Sequence, residues 1–134
     1  MSQRRDEWTL DALLKRESVE SSSDIRDLYE RWKQGIQLTP ADHIVIADGE
    51  NPLDWTIPDH DDRLARNWTS KRLRHYPILE HAISCSFEYL TALRENRPVC
   101  HVISQDFERL KRKYARIVLP TEGRLVYAFR RLGE

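Results

Sequence analysis

Residues 97–132, RPVCHVISQDFERLKRKYARIVLPTEGRLVYAFRRL, constrain this chain most, because they hold three β-rich runs joined by short links. Val99–Ser104 sets Val99, His101 and Ile103 against Cys100, Val102 and Ser104. Tyr114–Leu119 sets Ala115, Ile117 and Leu119 against Tyr114, Arg116 and Val118. Leu125–Leu132 sets Leu125, Tyr127 and Phe129 against Val126, Ala128 and Arg130. Alternation of this kind, rich in β-branched and aromatic residues, is the signature of strands whose successive side chains leave opposite faces. Pro120-Thr121-Glu122-Gly123 predicts a tight hairpin connection, with proline ending the ladder and glycine taking positive φ. Between the first two runs, Phe107, Leu110 and Tyr114 have helical spacing, but a long twisted hairpin also fits and is preferred.

Upstream, two amphipathic helices are legible. Over Asp24–Ile36, Ile25, Leu28, Tyr29, Trp32 and Ile36 recur at helical spacing, with Ser23 as N-cap and acidic Asp24 and Asp27 at the positive end of the dipole. Over Ile78–Arg94, the predicted stripe is Leu79, Ala82, Ile83, Phe87, Leu90 and Leu93, with Asn96 as a left-handed cap. His43–Ala47 and Leu53–Ile57 flank Asp48-Gly49-Glu50-Asn51-Pro52 and predict a hairpin with Trp55 in its second strand. A short helix capped by Thr9 and carrying Leu10, Leu13 and Leu14 opens the chain, and the polar Glu17–Ser23 reads as a flexible link. That helix either docks a partner, as in a homodimer through the N-terminal helices, or folds back on its own domain. Between the hairpin and the long helix, Arg63–Trp68 is a short helix candidate capped by Asp61 or Asp62.

At 134 residues, 40% hydrophobic and 33% charged, the chain is of single-domain size with a globular composition. No apolar run approaches the ~20 residues that cross a bilayer, and the first residues lack the apolar core of a signal peptide. With cysteines only at 85 and 100, no disulfide framework is implied and a cytoplasmic setting is expected. The net charge of zero divides unevenly: residues 1–62 carry 7 Lys/Arg and 15 Asp/Glu (−8), and residues 63–134 carry 15 and 7 (+8). Such a split can steer a nucleic acid; two packed halves with a mixed solvated surface are the preferred reading.

Three segments resemble a known family. Asn67–Leu73 (NWTSKRL) is similar to a segment usually written L-T-G-R-x-L, with Ser70 where glycine is typical. Leu93–His101 (LRENRPVCH) resembles a helix-to-strand passage G-R-P-V-x-H, and Tyr114–Pro120 (YARIVLP) a late strand Y-x-R-L-L-L-P. In this order they resemble the short PAS-like sensory domain family common in alphaproteobacteria, over about residues 24–132. The resemblance implies an α+β fold, a PAS-like five-stranded antiparallel sheet with helices on one face, preceded by an N-terminal helix. It implies residues 1–23 as an extension and 24–134 as the PAS-like domain. It also implies a non-enzymatic sensor or interaction module, commonly dimeric, that binds a small molecule or a signalling protein in bacterial signal transduction.

Little in the sequence announces chemistry. Glycines stand singly at 35, 49, 123 and 133, so no phosphate loop is formed, and no zinc or EF-hand spacing occurs. Asp59-His60-Asp61-Asp62 has ligand-type side chains but reads as a charged loop with a helix cap. Pocket candidates are Trp55, Trp68, His81, Cys85, Tyr89 and His101, whose rings supply contact area and whose polar tips fix orientation. His81 and Cys85 share a helix face by their spacing of four. The resemblance raises haem on such a histidine, against which a hydrogen-bonded structural histidine is the preferred reading. Lys111, Arg112, Lys113, Tyr114, Arg116, Arg130 and Arg131 suggest a basic strip for single-stranded nucleic acid. The solvated outer face of a sheet explains them better. The rival functions are nucleic-acid binding through the basic half, a small cone-shaped α+β enzyme, and an adaptor with a filled pocket.

Overall fold

The computed structural model describes residues 2–16, 24–58, 70–107 and 110–132. These form strand β1 (Ser2–Trp8), helices α1 (Leu10–Arg16) and α2 (Asp24–Lys33), strand β2 (His43–Ile46), helix α3 (Leu79–Glu95), and strands β3 (Val99–Phe107), β4 (Leu110–Thr121) and β5 (Arg124–Arg131). Among the described residues, two short 3-10 turns, Pro52–Asp54 and Leu73–His75, lie between β2 and α3. The chain is α+β, with an open five-stranded sheet in the order β1-β3-β4-β5-β2, antiparallel at every pairing. The proposed link at 17–23, the Ser23 cap, the 63–68 helix and the Asp59-His60-Asp61-Asp62 cluster lie outside the described residues.

The alternating stretch is the sheet's centre. β3 and β4 form a long hairpin in which Phe107 pairs with Leu110, so the helical alternative at 107–114 falls away. β4 does not stop at Pro120, which pairs with Leu125; the turn comes later, where Gly123 takes φ 69°. The Pro120 carbonyl accepts a hydrogen bond from Trp32 Nε1 at 2.8 Å, tying α2 to this end of the sheet.

Both faces of the sheet are covered, which corrects the expectation of helices on one face. Cys100, Val102, Ala115, Ile117, Leu119, Val126 and Ala128 meet Leu13 of α1 with Ile25 and Leu28 of α2. On the opposite face Val45, Val99, Val118 and Leu125 meet Ala82, Cys85, Tyr89 and Ala92 of α3, joined by Trp55, Leu73 and Tyr76. The reason lies in the strands themselves: both alternating sets carry apolar residues that must be taken out of water.

The fifth strand also differs from expectation. Leu53–Ile57 does not form a ladder strand; Thr56 makes single bridges to Ile46 and Arg72. Asn51 Oδ1 accepts from the Leu53 N–H at 3.0 Å and caps a 3-10 turn with Pro52 in its first positions. Backbone thus committed to a turn is withdrawn from pairing. β1 takes the fifth place, pairing from Ser2↔Asp106 to Trp8↔Cys100. Thr9 then caps α1, accepting from the Ala12 N–H at 3.1 Å, and Leu13 is fully buried. β1 and α1 are therefore built into the same sheet and core as the residues after 24, and α1 folds back on its own domain.

α3 ends as its sequence indicates, with Asn96 left-handed at φ 49° and its N–H bonded to the Ala92 carbonyl. Its buried face follows the predicted stripe only in part: Ala82 is buried and Leu90 and Leu93 pack against the core, with His81, Cys85, Glu88, Tyr89 and Ala92 also pointing inward, while Leu79, Ile83 and Phe87 are exposed, Phe87 at 68%. No helix among the described residues is long and apolar enough to cross a membrane.

Leu13→Ala is expected to lower stability by about 2–5 kcal/mol, the range for emptying a fully buried leucine site, measured by urea denaturation. The second expectation concerns Asp42, which accepts from both terminal nitrogens of Arg31 at 2.8 and 2.9 Å. Those bonds hold its carboxyl down to about 2 from an ordinary 3.8. A depressed native value adds stability above the unfolded value, lost as pH falls through the native one. Asp42→Asn should therefore be less stable than wild type at neutral pH, with the gap closing between about pH 4 and pH 2.

Candidate functional site

Between α3 and the sheet the core contains charge. Arg5 of β1 places a bidentate guanidinium on Glu88 of α3, with Nε to Oε2 at 2.7 Å and Nη2 to Oε1 at 2.5 Å. Arg116 of β4 meets the same carboxylate through its Nη2, and His101 Nε2 lies 3.7 Å from Glu88 Oε2. The side chains of Arg5, Arg116 and Glu88 are 10%, 5% and 9% exposed, so this is an internal ion cluster. Buried charges persist only when paired and hydrogen-bonded. Three elements distant in sequence are pinned at one carboxylate.

A second chain of bonds fixes the histidine. Arg112 Nε donates to Gln105 Oε1, and since guanidinium only donates, the Gln105 amide is oriented. Gln105 Nε2 then donates to His81 Nδ1 at 3.1 Å, and Arg5 Nη1 donates to the same nitrogen at 2.8 Å. His81 Nδ1 is thereby an acceptor, the ring is neutral, and the proton sits on Nε2, 3.4 Å from Cys85 Sγ. Tyr76 lies against the ring at 5.3 Å between centroids.

Cys85 is 1% exposed, and donors converge on it. Arg116 Nη1 is 3.2 Å from Sγ and Arg5 Nη2 3.8 Å, in addition to His81 Nε2. Burial alone would raise the thiol, but the charges of Arg116 and Arg5 and hydrogen bonds from Arg116 and Tyr89 outweigh it, and Cys85 lies below the ordinary 9.0. Tyr89, beneath the Arg116 guanidinium at 5.5 Å, is pushed well up by burial. Burial, followed by the charge of Arg5, lowers His101 below 6.5. Counting formal charges, Arg5 and Arg116 against Glu88 leave one positive charge, which a Cys85 thiolate neutralises.

At the margin of this cluster a groove of about 350 Å³ opens, lined by Arg5, Glu7, Ser84, Phe87, Glu88, Thr91, Arg97, Val99 and His101. Arg5 and Glu88 belong to both, so the cluster is the groove's inner wall. His101 Nδ1 has no hydrogen-bond partner.

Of the six pocket candidates, His81, Cys85, Tyr89 and His101 gather around the ion cluster, and His101 also lines the groove. Trp55 packs in the apolar core, its Nε1 donating to the Gly49 carbonyl at 2.6 Å. Trp68 lies outside the described residues. Both His81 nitrogens face protein partners, an arrangement that suits a structural histidine rather than an iron ligand. The solvated outer face preferred for these basic residues is corrected as well: Arg116 and Tyr114 are buried beneath the α3 side, and Arg112 is half-buried against Gln105 and Tyr76. A solvated outer face would need these side chains in water; Lys111 and Lys113 alone of the Arg112–Arg116 neighbourhood are exposed.

Sequence reasoning missed Arg5, Glu88 and Gln105, and placed Arg116 on a solvated face. Glu88 had a signal, since 81, 85 and 88 fall on one helical face. Arg116 had one too, standing between Tyr114 and Val118 on a strand whose flanking strands are apolar. Among the described residues no group of three His, Cys, Asp or Glu side chains is placed to hold a metal ion. A scan against protein-family models, a search of curated proteins and a search of solved structures each return no match.

Glu88→Gln leaves Arg5 and Arg116 buried without their countercharge and is expected to cost roughly 3–5 kcal/mol, read as a lower urea midpoint. Glu7→Gln, on an exposed groove residue, should stay within about 1 kcal/mol of wild type.

Proposed function

We propose that the chain is a PAS-like sensor or interaction module that takes a small ligand in the groove between β1, α3 and β3. One observation carries this reading: the groove's inner wall is a buried charged network, where packing alone would favour hydrocarbon. Arg5 and Glu88 are held there by bonds that fix their geometry before anything binds, and His101 Nε2 stands 3.7 Å from the Glu88 carboxylate. Preorganised polar groups beside apolar contact area suit recognition of a small molecule. Phe87 and Val99 supply that area, and Ser84 and Arg97 stand with them in the groove.

The PAS-like part rests on the three sequence segments and on a helix laid across the antiparallel sheet. It is qualified by the fifth strand, which comes from the N-terminus, and by helices on both faces. Binding would be read out through β1, because Arg5 both lines the groove and holds that strand to α3.

Native mass spectrometry of the purified full chain tests the reading. The expected spectrum shows a co-purifying small molecule, lost in Thr91→Trp, which fills the groove from a half-buried helical position while circular dichroism stays unchanged. A wild-type protein that is bare, and remains bare across a metabolite library, would overturn it.

A further inference from the structure

The geometry points to Cys85 as a buried thiolate that is oxidised by hydroperoxides to a sulfenate held in the ion cluster. Cys85 does not stand alone. Three donor groups from three elements converge on its sulfur: Arg116 Nη1 at 3.2 Å, His81 Nε2 at 3.4 Å and Arg5 Nη2 at 3.8 Å. His81 presents a proton there because its other nitrogen already accepts from Arg5 and Gln105. A sulfur ringed by donors is suited to be an acceptor, and the cluster's charge closes to zero only when that sulfur is anionic.

Arg116 is 4% exposed and presents Nη1 to Cys85 Sγ, while its Nη2 side faces Glu88. An oxygen bonded to that sulfur would stand beside Nη1 and accept from it.

The step balances without any other reactant. The thiolate sulfur attacks one oxygen of hydrogen peroxide, the S–O bond forms and the O–O bond breaks. The proton on the attacked oxygen passes to the departing one, and water leaves. Sulfur loses two electrons and the peroxide gains them. The product Cys–SO⁻ carries the same single negative charge as the thiolate, so Arg5, Arg116 and Glu88 remain balanced. The reagent is small, and the groove wall formed by Arg5 and Glu88 is the boundary between solvent and the cluster. This chemistry does not depend on the groove also binding a ligand.

Cys100 is an internal control. It is equally buried, at 2%, but lies in the apolar cluster on the opposite face of the sheet, and burial pushes its thiol up to about 12. The full-length wild-type protein is treated with hydrogen peroxide and a sulfenate-trapping dione, and both cysteine peptides are quantified by mass spectrometry. Cys85 is expected to gain one oxygen or one dione adduct at least about tenfold faster than Cys100, the change in thiolate fraction that one pKa unit brings. Dithiothreitol should return it to thiol. The proposal is overturned if Cys85 in the folded chain is unmodified, reacts no faster than Cys100, or reacts only under urea. Cys100→Ser should leave the Cys85 reaction unchanged; its loss there would likewise count against the assignment.

Discussion

Everything on the α3 side of the sheet depends on the carboxylate of Glu88. It is the acceptor for Arg5 from the sheet's edge and for Arg116 from its middle strand, in surroundings almost free of water. An ion cluster inside a protein recovers its desolvation cost only with close geometry, and hydrocarbon of similar shape is frequently as stable. Its effect is therefore specificity of arrangement. A leucine at 88 could slide along an apolar sheet, whereas a carboxylate bonded to two guanidinium groups fixes the rotation of α3 about its own axis. That rotation explains why Phe87 and Ile83 face outward although the hydrophobic pattern favours burying them.

The legible and illegible parts of this chain separate along the same line. The β3-β4-β5 meander was readable because Val99–Leu132 alternates cleanly. The termini of α3 were readable because Asn96 and the nearby prolines punctuate it. β1 was not readable, since Ser2-Gln-Arg-Arg-Asp-Glu-Trp8 has neither β-branched residues nor an apolar face, and its place depends on pairing with β3 and on Arg5 finding Glu88. Context decided that strand, not propensity. The two-sided cover of the sheet was written in the strands: Cys100, Val102, Ala115 and Ile117 are as apolar as their opposites, and an uncovered face would have carried polar residues there. Of the site, the aromatic and sulfur-bearing members on α3 could be named from spacing, but the arginines could not. An arginine on a strand ordinarily faces water, and no local pattern marks the exception.

The two cysteines show how far surroundings govern one side chain. Both are almost fully enclosed, on opposite faces of the same sheet and in adjacent layers of one small fold. Cys100 is walled by hydrocarbon, where a proton is hard to remove. Cys85 is walled by nitrogen donors, which favour the anion against the same burial. Enclosure by itself predicts neither outcome; what the enclosing atoms can donate decides it.

The distance in sequence between β1 and its partners has a consequence for the order in which the fold can assemble. Arg5 and Glu88 are 83 residues apart, and β1 pairs with a strand nearly a hundred positions later. The β3-β4-β5 meander needs only neighbouring hairpins, so it can form early at small entropic cost, with β3 as a temporary edge. β1, which precedes these strands in the chain, is thus expected to be incorporated after them. Until it arrives, a strand of alternating valine, isoleucine and cysteine has an open row of backbone donors and acceptors, the state in which such a chain is most exposed to pairing with another copy of itself.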